Sequence, residues 1–98
     1  MTVEASIDPL SYAASLLDAV GADREQVSAD IALECLQAAE LLELAGGHAQ
    51  PVPLVDDDPR ASIRAAMGAL GLVDQETFAT RYVIDAARAA RRALRQLR

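Results

Sequence analysis

A chain of 98 residues has room for one domain with a modest core. Hydrophobic residues make up 52% of it and aromatics only 3%, so alanine and leucine, both strong helix formers, fill that core and an all-α class follows. The single cysteine, Cys35, excludes an internal disulfide, and no apolar run approaches the roughly 18 residues of a membrane span.

The net charge of −6 conceals a split. Residues 1–58 carry twelve acids against Arg24 alone, and residues 59–98 carry eight arginines against three acids. Such a chain can satisfy itself, half against half, or attract partners of either sign. Met1–Ser6 has no basic segment and no apolar run of a signal peptide, so a cytoplasmic location is expected. All nine basic residues are arginine, a bias common in small bacterial proteins that carries no functional weight.

In chain order, Asp8-Pro9 reads as a helix N-cap followed by proline at the first helical position. Leu10, Ala13, Leu17 and Val20 recur at helical spacing, and Gly21 ends the helix. Asp23 reads as the cap of a second helix, with Gln26 in the capping-box position and Gly46-Gly47 as the stop after Ala45. Pro51 and Pro53 favour extended backbone through an irregular stretch to Asp56. Asp58-Pro59 opens a third helix with Ile63, Ala66, Met67 and Leu70 on one face, closed by Gly71. Asp74 reads as the cap of a fourth helix running nearly to the C-terminus.

The predicted architecture is a single helical domain over 1–98, a small four-helix bundle built from two helical hairpins: a hairpin 8–45, an irregular connection 46–57 and a hairpin 58–97. At an offset of 50, Asp8-Pro9 falls on Asp58-Pro59 and Val20-Gly21 on Leu70-Gly71. Either the hairpin is duplicated, or similar caps recur because every helix needs them.

Projected at 100° per residue, the second helix buries Val27, Ile31, Cys35, Ala38, Leu42 and Ala45 on one stripe. Leu33, Leu36, Leu41 and Leu44 lie elsewhere on it, among Glu34, Gln37, Glu40 and Glu43. Either they form a protein–protein contact, or the connection covers them with Val52, Leu54 and Val55. The fourth helix sets Phe78, Tyr82, Ala86, Ala89, Ala90, Ala93 and Leu97 against a face of Arg81, Arg88, Arg91, Arg92, Arg95 and Arg98. Those arginines complement the helix dipole, pair with the acidic second helix, or meet an anionic partner.

Other chemistries find little footing. Gly21–Ile31 is similar to the turn and second helix of a helix-turn-helix, but would present Asp23, Glu25, Asp30 and Glu34 to a polyanion. Asp56-Asp57-Asp58 lacks the spacing of a cation loop, and Cys35 and His48 have no companion ligands, so no metal and no cofactor are expected. Cys35 reads as a small buried hydrophobe. No catalytic residue, phosphate loop or ligand-sized pocket is expected.

The expected function is a non-enzymatic interaction module, either a helical homodimer or an adaptor docking on another protein. Leu33, Leu36, Leu41 and Leu44 supply the contact, with Arg88, Arg92 and Arg95 providing charge selection. The alternative is a small regulator that binds nucleic acid or another polyanion through the arginine face.

Overall fold

The computed structural model describes residues 7–97; the reading of Met1–Ser6 and the place of Arg98 in the arginine face lie outside them. Among the described residues every regular element is helical: α1 (Pro9–Gly21), α2 (Ala29–Leu44), a 3₁₀ turn (Val55–Asp57), α3 (Pro59–Leu70), α4 (Gln75–Phe78) and α5 (Arg81–Gln96). None of these helices is long and apolar enough to cross a membrane.

The aspartate caps act where charge–dipole logic puts them. Asp8 accepts the Ser11 N–H at 2.8 Å and opens α1. Asp58 accepts the Arg60 N–H at 3.1 Å and opens α3. In both, proline occupies the first turn, where a missing N–H costs nothing.

Two boundaries differ from expectation. Asp23 closes a local turn, accepting the N–H groups of Glu25 and Gln26, and α2 starts six residues later behind Ser28, which accepts the Ile31 N–H. Val27 turns inward between the two caps and is buried, which ends the first turn before it can propagate. The expected fourth helix is likewise two helices. Asp74 caps only the single turn of α4, and Thr80, in extended backbone, redirects the chain into α5. The Thr80 hydroxyl donates to the Thr77 carbonyl, which satisfies one backbone acceptor at the break. The two halves therefore share one order: capped helix, short capped turn, break, then a helix of sixteen residues.

α1 packs against both α2 and α3, and α2 packs along α5, whereas α3 touches α5 more lightly. Gly47, past the end of α2, abuts Leu10 at the start of α1, so these two run antiparallel. Gln26, just before α2, donates to the Asp57 carbonyl beside the start of α3. Arg60 at that start donates to the Leu97 carbonyl at the end of α5, at 2.7 Å. The start of α2 therefore lies near the end of α5, and those two helices are antiparallel as well. The molecule is a slab of 34 × 32 × 17 Å, two helix layers thick.

The most enclosed helix is α1, which buries Leu16, Leu17 and Val20 completely and Ser11 and Ser15 almost completely. The serines are there for the connection. Ser11 Oγ accepts the His48 N–H and Ser15 Oγ the Gln50 N–H, at 2.9 and 2.8 Å. Ser62 on α3 accepts the Val55 N–H at 2.8 Å. Each hydroxyl also donates, to the Asp8 carboxylate, the Ser11 carbonyl and the Asp58 carbonyl respectively, so both capacities are used. Asp56 and Asp57, with φ of 52° and 54°, turn the chain through the left-handed region into the Asp58 cap.

Candidate functional site

The connection settles against α1, where Ala49–Val52 and Leu54 lie beside Ser15, Asp18, Ala19 and Ala22. It leaves the outer face of α2 uncovered. Leu33 is 57% exposed and Leu44 61%. They lie about three turns apart on the side of α2 opposite Cys35 and Leu42, with Gln37 and Glu40, also exposed, between them.

The other two predicted leucines are less free. Leu36 lies over Gly21, where an added Cβ would come within 2.5 Å of its Cγ. It fills the notch at which α1 approaches α2, and its 37% exposure is the remainder. Leu41 is half-buried and packs against the core. The structure thus places Leu33 and Leu44 together on one open stripe and gives Leu36 and Leu41 packing duties.

Across the seam, Arg92 forms a two-pronged ion pair with Glu34: Nε donates to Oε2 at 3.0 Å and Nη2 to Oε1 at 3.1 Å. The hydrogen bond to Glu34, and then its charge, raise the Arg92 guanidinium above its ordinary pKa. Arg92 is therefore occupied within the chain. Arg88 reaches only the edge of Asp85, at 4.0 Å, and Arg95 is exposed. Asp85 also takes Arg81, at 3.7 Å. The α5 face keeps a positive excess, because Asp85 is its only acid.

Small side chains let α5 lie close on α2. Ala86, Ala89, Ala90 and Ala93 are buried in a helix that packs along α2. The expectation that Phe78 and Tyr82 belong to one continuous apolar face of this helix is corrected. The break at Ala79–Thr80 puts Phe78 on a separate turn, and Val83 takes the inward position. Phe78 is 37% and Tyr82 44% exposed. Sequence reasoning had a signal for this: Thr77 and Thr80 interrupt an otherwise strong helical run.

Cys35 is wholly buried, and burial first, then the Glu34 charge, pushes its thiol up to about 12. An open groove of about 780 Å³ lies between α1, the Asp23–Gln26 turn and the connection, where no ligand-sized pocket was expected. Asp18, Asp23, Glu25 and Asp57 rim it. Compared with protein-family models, with curated proteins and with solved structures, the chain matches none.

Proposed function

We propose that the chain is a non-enzymatic protein–protein interaction module, a bundle of two helical hairpins that docks a partner on the outer face of α2. The partner is a second copy, making a homodimer, or a different protein for which the chain is an adaptor. The observation that carries this reading is the pair Leu33 and Leu44, each more than half exposed on a helix whose opposite stripe already supplies the core. Large aliphatic side chains left on a second face of a helix, beyond the stripe that packs the core, support a partner for that face.

The test compares a tagged wild-type copy with a Leu33→Glu, Leu44→Glu double variant in native pull-downs. Both positions are exposed, so helix content by circular dichroism should be unchanged while capture is lost. A double variant that captures the same protein equally well overturns the reading. Leu41→Glu is a poorer probe, because Leu41 packs on the core and its loss perturbs folding.

A second reading, binding of nucleic acid or another polyanion through α5, is supported by the exposed arginines Arg81, Arg88, Arg91 and Arg95. It is weakened by the commitment of Arg92 to Glu34 and by Asp85 within the same face. Its signature is a steep loss of binding with salt.

A further inference from the structure

The outer faces of α2 and α5 lie side by side, joined by the Glu34–Arg92 pair, and they carry opposite charge. On α2, Asp30 and Glu40 are exposed, and the helix has no basic residue at all. On α5, Arg81, Arg88, Arg91 and Arg95 are exposed against the single acid Asp85. A face divided lengthwise into an acidic and a basic helix is complementary to itself. A twofold axis lying in the plane of that face and parallel to the helices sets α2 of each copy over α5 of the other. The alternative, α2 on α2, would stack acid on acid.

Resting on the reading of the α2 face given above, we infer that its occupant is a second copy of this chain, in an isologous dimer with α2 of each copy lying on α5 of its partner. The ion pair sets the register. Because α2 and α5 are antiparallel, each step past Glu34 is matched by a step before Arg92. Leu44, ten residues on, is level with Tyr82, ten residues back. Glu40 is level with Ala86, half a turn from Arg88, and Asp30 with Gln96, next to Arg95. A twofold axis parallel to the helices preserves these levels. The exposed Glu40 of one copy therefore meets the exposed Arg88 of the other, and Leu44 lies over the first turn of its α5.

The size of the contact sets its strength. Two sixteen-residue helices side by side present a face about 24 Å long and about 20 Å wide, or about 500 Å² per copy. That is at the small end of specific interfaces and fits a dimer that dissociates in the micromolar range. The overall charge of −6 per copy does not prevent it, since beyond about 8 Å at physiological salt these charges are screened and local pairs decide.

The test is sedimentation equilibrium on the purified chain, on Glu40→Arg, on Arg88→Glu, and on an equimolar mixture of the two variants. Wild type should sediment as a monomer–dimer equilibrium. Each reversal alone places like charges opposite one another twice per dimer, and should weaken association about tenfold, equal to about 1.4 kcal/mol. The mixture should recover it. In the mixed dimer the arginine introduced in one variant meets the glutamate introduced in the other, while the native Arg88 and Glu40 that remain meet each other. A chain that stays monomeric up to millimolar concentration overturns the dimer. So does a dimer that Arg88→Glu leaves unchanged, since it must use another surface. If the purified chain is monomeric while the pull-down captures a different protein through Leu33 and Leu44, the dimer fails and the interaction-module reading stands. If neither association depends on those leucines, both fail.

Discussion

The α1–α2 half and the α3–α5 half follow the same order of caps, turns and breaks, yet they are held together by different means. The first buries large side chains: Leu16, Leu17, Val20 and Leu42 are wholly or almost wholly enclosed. The large aliphatic side chains that the second buries are Ile63, Leu70 and Val83, beside Pro59, Ser62 and a row of alanines. As a result α5 packs more on α2, across the molecule, than on α3, the partner in its own half. Identical punctuation thus specifies where helices begin without specifying which neighbour each one will depend on. That depends on side-chain volume: leucines make α1 a hub, and alanines make α5 a close-fitting cover.

The largest expected effects would break this contrast if they came out equal. Leu17→Ala should cost toward the upper end of about 2–5 kcal/mol, because α1 is enclosed by two helices and the connection and the cavity cannot collapse. Leu70→Ala, at the end of α3, should fall toward the lower end; urea denaturation of both variants measures the difference. Next in size is Ala90→Leu on α5. If close approach to α2 is what holds α5, the added bulk should destabilise by about 1–3 kcal/mol, whereas Ala87→Leu, only half-buried, should be nearly silent. A tolerated Ala90→Leu would mean the α2–α5 contact is loose.

The stitches to the connection give a smaller effect. Ser15→Ala leaves the Gln50 N–H without its acceptor and should cost about 1 kcal/mol, with faster amide exchange confined to the connection. The smallest effect sharpens the comparison at the caps. Asp8 opens a helix of thirteen residues and Asp74 one of four, so Asp8→Ala should cost about 1 kcal/mol and Asp74→Ala less. Hydrogen bonds from Ser11 hold the Asp8 carboxyl below its usual 3.8. A carboxylate lowered by folding stabilises above its unfolded pKa and loses that contribution as pH falls through the folded one. The difference between wild type and Asp8→Ala should therefore close as pH drops below about 4, in thermal melts run across that range.

Much of this was legible in the sequence because caps are local. Asp8, Asp58 and Asp74 need only their own backbone to be recognised, and helical projection puts Leu33 and Leu44 off the core stripe, although whether the connection covers them was left open. Asp23 misled because an aspartate that closes a turn and one that opens a long helix look the same until the burial of Val27 is known. The break at Thr80 was hidden for a similar reason: the amphipathic projection continues straight through it, although the backbone does not. The Glu34–Arg92 pair was legible as a class, acidic helix against arginine helix, but the individual partners depend on the register of two helices far apart in sequence. The roles of Ser11, Ser15 and Ser62 were missed, although hydroxyls on otherwise apolar helix faces were visible and signal a nearby backbone in need of acceptors.

The sealed Cys35 thiol makes the chain its own clock. Held at about 12 while enclosed, it cannot react with a disulfide reagent until the helices around it part. In excess reagent the rate of colour release becomes the rate at which the core opens, and at low reagent it becomes the fraction of time the core is open. A chain with one native sulfhydryl thus reports both the frequency and the depth of its own breathing, with no probe introduced.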